Sequence, residues 1–298
     1  MSNKPRKMTL EKKHNLTGWA FLAPATFLIA VFSFWPMIKA LVLSFQTGKG
    51  RNMQMAGFTN YIRMFQDDVF IQSIKTHTFF YFILQVPIML VVAMVLACIL
   101  NKKDLRFKGF FRTMIFLPCT TSLVAYSIIF RSLFANDGLV NYVLVNLGIL
   151  DKPYNFLTQP FAAKIVIILA LLWRWTGYNM VFFLSGLQNI EYSVYEAAKI
   201  DGASAIQTFF KITVPLLKPT ILLTAIMSTN GTLQLFDESI NLTDGGPANA
   251  SISMSHYIYN LCFKYVPNFG YAAAMSFFIL LLVAVLAFIQ MRVGDKRD

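Results

Sequence analysis

Six long apolar runs set the terms for what this chain can fold into. They cover residues 16–37, 77–100, 113–134, 161–184, 220–236 and 271–291. A helix needs about 20 mostly apolar residues to cross a bilayer, and a soluble core has no use for so many uninterrupted stretches of that length. The runs are continuous and do not alternate, which fits helices that satisfy their own backbone and not barrel strands. The expectation is an all-α, polytopic membrane protein with six transmembrane helices. Charge content agrees. Only 13% of the 298 residues are charged, about half the roughly 25% of an ordinary soluble domain. A soluble enzyme is therefore a poor reading, and a hydrophobic share of 56% excludes a disordered chain.

The net charge of +12 would suggest nucleic acid in a soluble chain, but here membrane topology explains it. Loops retained on the cytoplasmic side carry an excess of Lys and Arg. With the N-terminus inside, sixteen basic residues fall on the cytoplasmic side: Lys4, Arg6, Lys7, Lys12, Lys13, Lys102, Lys103, Arg106, Lys108, Arg112, Lys199, Lys211, Lys218, Arg292, Lys296 and Arg297. Seven fall outside: Lys39, Lys49, Arg51, Arg63, Lys75, Lys152 and Lys264. Both termini are expected to be cytoplasmic, with tails at 1–15 and 292–298 around a membrane domain at 16–291. No basic run interleaved with aromatics offers a nucleic-acid platform. The first run is about 22 residues, longer than a signal-peptide core, and no A-x-A-like site closes it. Cys98, Cys119 and Cys262 are too scattered for a disulfide framework, and the three histidines share no ligand spacing, so no metal site is expected.

The cytoplasmic connection at about 190–218 is too polar to span and too rich in helix formers to be a loose loop. A helix over 193–200, a break at Asp201-Gly202 and a second helix over 203–213 before Pro215 and Pro219 predict a helix–turn–helix hairpin. Ile206, Phe209 and Phe210 give the second helix an apolar stripe. Pattern alone leaves two readings open, an amphipathic element lying on the bilayer and one that docks on a partner.

The residues of this hairpin resemble the EAA signature of permease subunits of binding-protein-dependent ABC importers. Glu196-Ala197-Ala198 is followed after three residues by Gly202, and after nine more by Ile212-x-Val214-Pro215, with Val214 where Leu is usual. The longer run Tyr195–Ser204, then Pro215-Leu216-Leu217-Lys218-Pro219, resembles the carbohydrate branch. So do Phe116-Leu117-Pro118, Gly138-Leu139-Val140-Asn141, Ser185-Gly186-Leu187-Gln188 and Thr243-Asp244-Gly245-Gly246-Pro247. The resemblance covers nearly the whole chain. It implies a pseudo-symmetric pairing with a second, homologous permease subunit, two cytoplasmic ABC ATPase subunits and an extracytoplasmic solute-binding protein. Glu196, Ala197, Ala198, Asp201, Gly202, Ile212 and Pro215 would form the ATPase-coupling element. The chain has no G-x-x-x-x-G-K-[ST] loop, and the resemblance places ATP and Mg on the partner subunits, with no cofactor and no catalytic residue here.

A sugar offers hydroxyls and an apolar ring face, so its path should mix polar side chains with aromatics. Two spans have that character: Trp173-Arg174-Trp175-x-x-Tyr178-Asn179 in the fourth, and Ser228-Thr229-Asn230-Gly231-Thr232-x-Gln234 in the fifth. Asn230 and Gln234 share a helix face. Arg174 would cost roughly 2.5–3.5 kcal/mol in lipid at a helix centre and must face protein or water. Arg174, Trp175, Tyr178, Asn179, Asn230 and Gln234 are the candidate path, while helix–helix adhesion is the competing use of such residues. Glycerol phosphate or another polyol-like solute is an alternative substrate. A secondary transporter working alone is the alternative from another class. That would want Asp or Glu within a span for ion coupling, and none of the 14 acids lies within the runs.

Overall fold

The computed structural model describes residues 9–49, 52–102 and 104–294. Most of the expected N-terminal tail, the last four residues, Arg51 and Lys103 lie outside the described residues. Helix α1 (Leu10–Ser44) leads to an antiparallel hairpin of β1 (Gln46–Lys49) and β2 (Asn52–Met55), then α2 (Thr59–Met64) and α3 (Asp68–Asn101). Next come α4 (Lys108–Thr120), α5 (Leu123–Leu133), α6 (Leu139–Asn146) and α7 (Pro160–Gln188). The chain finishes with α8 (Tyr192–Ile200), α9 (Ala205–Leu216), α10 (Lys218–Leu233), α11 (Asp237–Thr243), α12 (Met254–Tyr259) and α13 (Phe269–Gly294).

Among the described residues, helices α1, α3, α7 and α13 are each long and apolar enough to cross a bilayer, and counting each bent unit, α4–α5 and α9–α10, as one crossing gives six. Each of the four reaches past its apolar run, so α1 and α13 take in parts of the expected tails. The third run differs from a straight span: α4 and α5 meet at 99°. Thr121 is extended there (φ −72°, ψ 150°). The hydroxyls of Thr120 and Thr121 bond back to Leu117 O (2.8 Å) and Pro118 O (2.7 Å), so side chains take carbonyls that a continuing helix would use. The fifth run is a 16-residue helix turned 70° from α9, about 24 Å long at 1.5 Å per residue.

Prolines leave a repeated mark on the ladder. Wide π turns at Ala30–Phe34, His77–Gln85 and Phe209–Thr213 each end two residues before a proline, Pro36, Pro87 and Pro215. A proline lacks the N–H and crowds the carbonyl one turn back; a π turn bypasses both problems without ending the helix. Pro215 therefore does not terminate its helix as expected. The chain turns at Leu217, and Pro219 opens α10.

Helix α7 is the central post. Met180, Phe183, Leu184 and Leu187 pack with Val86, Leu90, Ala93, Met94 and Ala97 of α3, while Ile167, Ile168 and Leu171 pack with Tyr126 and Phe130 of α5. Gly177 lets α4 pass close: a Cβ there would lie 1.9 Å from Ile115 O. Helix α1, by contrast, leaves nearly all its apolar surface uncovered. At the end away from α8–α9, Asp67 caps α3 through the Val69 and Phe70 amides and accepts from the Tyr257 and Tyr271 hydroxyls at 2.7 Å each.

Candidate functional site

The hairpin is built by its turn. Gly202 sits at φ +76°, where a side chain is strained. Its N–H reaches Lys199 O (3.2 Å), and Ala203 N–H reaches Ala198 O (2.9 Å), the paired bonds of a Schellman stop. Ser204 then starts α9 through a reciprocal capping box with Gln207. Glu196, Ala197, Asp201, Gly202 and Pro215 are exposed, Ile212 is half-buried and Ala198 is buried. The expected apolar stripe divides. Phe209 packs inward beside Leu217 and the α3–α7 core, whereas Ile206 and Phe210 are 71% and 66% exposed, with Ile200 at 85%. Two acidic side chains, Glu196 and Asp201, among bare apolar ones make a surface suited to a partner's groove.

Of the six path candidates, Arg174 stands apart. It is 5% exposed, and its guanidinium is committed to the α4–α5 break. Nη1 donates to Thr121 O (2.8 Å) and Thr121 Oγ1 (3.4 Å), and Nη2 to Cys119 O (3.4 Å). It also lies over the rings of Tyr126 (4.8 Å) and Trp175 (5.3 Å). Breaking a helix frees carbonyls, and here a planar, multi-donor side chain collects them.

Trp175, Tyr178, Asn179 and Gln234 instead line one cavity of about 400 Å³ among α3, α7, α10 and α11. Asn230 lines a second cavity, of about 590 Å³, along α10, α12 and α13, and Gln234 belongs to both. The Gln234 amide donates to Asn230 Oδ1. Asn179 Nδ2 donates to Trp175 O (3.0 Å), its Oδ1 accepts from Ser228 (3.2 Å), and Thr232 donates to Gln85 Oε1 (3.4 Å). Aromatic faces beside oriented amides and hydroxyls can hold a polyhydroxylated ring.

Sequence reasoning missed three polar wall residues, Gln85, Asp237 and Glu238. Gln85 is a lone amide inside an apolar run, which was its signal. Glu238, 3% exposed, lies just beyond the fifth run, and its carboxylate accepts from the Tyr126 hydroxyl. Only the bend between α4 and α5 brings Tyr126 within reach, so spacing along the chain gave no warning.

A polytopic bundle with this exposed hairpin and a cavity among its spans lined by aromatic and polar side chains is the architecture of a transport permease. Residues 76–297 match the family described as "Binding-protein-dependent transport system inner membrane component", and the chain belongs to that family of multi-pass membrane proteins. It is 51% identical over 293 residues to the lactose transport system permease protein LacF of Rhizobium radiobacter, covering 98% of both chains. It is 34% identical to the multiple sugar-binding transport system permease protein MsmF of Streptococcus mutans serotype c, covering 97% of this chain and 99% of that one. Its fold is similar to that of a chain in a bacterial alginate ABC transporter in complex with an alginate pentasaccharide-bound periplasmic protein. There the TM-score is 0.82 at 24% identity, covering 95% of this chain and 96% of the other.

Proposed function

We propose that this chain is the membrane permease subunit of an ATP-driven importer that carries a sugar, a di- or oligosaccharide, into the cytoplasm. The observation that carries the reading is the wall of Trp175, Tyr178, Asn179, Ser228 and Gln234 around one cavity, in a chain about half identical to a lactose permease along its length. An extracytoplasmic solute-binding protein delivers the sugar, and a second, homologous permease supplies the other half of the path. Both termini and the α8–α9 hairpin face the cytoplasm.

Two ATPase subunits bind ATP and Mg and seat the hairpin. Glu196 offers a charge-assisted contact to a basic group on the ATPase, while Ala197 keeps that face slim and Ile200, Ile206 and Phe210 supply apolar contact. Closure of the ATPases drags the hairpin, and the spans rock between inward- and outward-facing states about a fixed site, a rigid-body and hinge motion of packed helices. The π turns, where the helical ladder is already interrupted, are where such motion meets least resistance.

The test is uptake by proteoliposomes holding the complete complex, using labelled mono-, di- and oligosaccharides and glycerol phosphate. Accumulation of a di- or oligosaccharide that needs both ATP and the binding protein, and that falls at least about tenfold with Trp175→Ala, is the expected result. Accumulation of glycerol phosphate alone would overturn the sugar reading.

A further inference from the structure

The cavity just described has an unusual charge inventory. Among the described residues, its charged wall side chains are Asp237 and Glu238, and no Lys, Arg or His lines it. The second cavity is lined by no charged residue. Arg174, on the neighbouring helix face, is turned away into the carbonyls of Thr121 and Cys119. Glu238 is held at the wall by the Tyr126 hydroxyl, and the Tyr126 ring is itself pinned between Arg174 at 4.8 Å and the stacked indole of Trp173 at 6.2 Å. Burial, assisted by Asp237, opposes ionisation of Glu238, while the Tyr126 hydrogen bond and the nearby Arg174 charge favour it, and the side chain is a fixed feature of the wall and not one free to swing aside.

We propose that the passage rejects anions, with Glu238 and the adjacent Asp237 setting the charge a solute meets there. The inference rests on the reading of this cavity as the solute path, and it narrows the substrate to neutral polyhydroxy compounds. A carboxylate accepts hydrogen bonds from sugar hydroxyls at no Coulomb cost. A phosphate or uronate brought to the same wall meets like charge, and in so confined and poorly screened a space that repulsion is strong. Discrimination of this kind works by an unfavourable element aimed at the wrong solute.

Thiol accessibility tests the charge without knowing the sugar. In the complete importer with Cys98, Cys119 and Cys262 replaced by Ala, a reporter is placed by Ser228→Cys. Gly231→Cys serves as a second reporter, since a Cβ at Gly231 meets open space. Reaction rates with a cationic and an anionic methanethiosulfonate are each divided by the rate with a simple thiol in solution. The expected cation-to-anion ratio is about tenfold or more, falling at least about threefold when Glu238→Gln and Asp237→Asn are combined. Gln keeps an oxygen for Tyr126, so the fold survives the change. A ratio near one, a ratio indifferent to the double substitution, or two unreactive thiols in a complex that hydrolyses ATP would each overturn the proposal. Sugar uptake by the complex without either reporter cysteine keeps the two readings apart. Uptake with a ratio near one sinks the charge inference alone, and a high ratio without sugar uptake sinks the sugar reading alone.

Discussion

Replacing Arg174 by Met should destabilise the permease far more than it alters solute affinity. The guanidinium serves two carbonyls left open at the α4–α5 break, Thr121 O at 2.8 Å and Cys119 O at 3.4 Å, and caps the Tyr126 ring at 4.8 Å. A hydrogen bond to a charged group contributes about 1.5–3 kcal/mol, and the longer Cys119 contact falls at the weak end. A desolvated cation–π contact adds about 1 kcal/mol or more. Against this stands the cost of holding a charge in a dry site, which Met does not bear. The balance is a loss of about 3 kcal/mol. At about 2.1 cal/mol/K of unfolding entropy per residue, a 298-residue chain shifts by about 1.6 °C per kcal/mol, so the melting temperature of the purified complex should fall by about 5 °C. Arg174→Lys keeps one donor for Thr121 O but lacks the planar fork, and should lie between Met and wild type. The assay is thermal melting in detergent, paired with the KM for uptake in proteoliposomes. An unchanged melting temperature together with a raised KM would refute this reasoning and return Arg174 to the solute path.

Gly177→Ala forces a Cβ to within 1.9 Å of Ile115 O, so α4 and α7 must separate; a cost of about 1–3 kcal/mol should appear as a poorer yield of monodisperse complex, and wild-type yield would contradict it. Asp67→Ala removes the acceptor of two 2.7 Å tyrosine hydroxyls and an α3 cap; about 2–4 kcal/mol should emerge as faster hydrogen exchange in α2 and the start of α13. His256 is fully buried beside Ser239 Oγ at 3.0 Å and 3.6 Å from Asp244, and burial pushes its pKa down, with Asp244 opposing and Lys264 assisting. The unfolded state then binds the proton more readily, so this loop is at full stability above about pH 6.5 and loses stability as the pH falls through the lowered value. Hydrogen exchange around residues 239–256 should quicken in acid, and His256→Gln should flatten that response; a flat wild-type profile would contradict the assignment.

Much of the architecture was legible because bilayer physics writes it in long apolar runs, and the hairpin because Gly202 and the residues around it are specified one by one. Less legible was whatever depends on two distant segments meeting. A run of apolar residues at 113–134 says nothing of a 99° bend, since Thr121 could equally have continued a helix. With the bend hidden, the partner of Arg174 was hidden too, and an intramembrane arginine looked like a solute ligand when its donors were needed by backbone carbonyls. Pro215 was read correctly as a disturbance but wrongly as a stop, because a π turn absorbed it. Glu238 escaped notice for a simpler reason: it sits two residues past the apolar run, where an acid ordinarily meets water, yet α5 and α7 fold over it.

The central claim is that work enters this chain through the α8–α9 hairpin, and Gly202→Val tests it most directly. At φ +76° a β-branched residue is strained by about 1–2 kcal/mol, which distorts the turn and leaves the spans alone; Glu196→Ala is the companion variant that keeps the turn. The measurement is ATP-driven sugar uptake alongside ATP hydrolysis in the complete complex. Both variants should remain in the membrane while uptake falls toward background and sugar-loaded binding protein ceases to stimulate hydrolysis. Uptake at the wild-type rate in both variants would contradict the account.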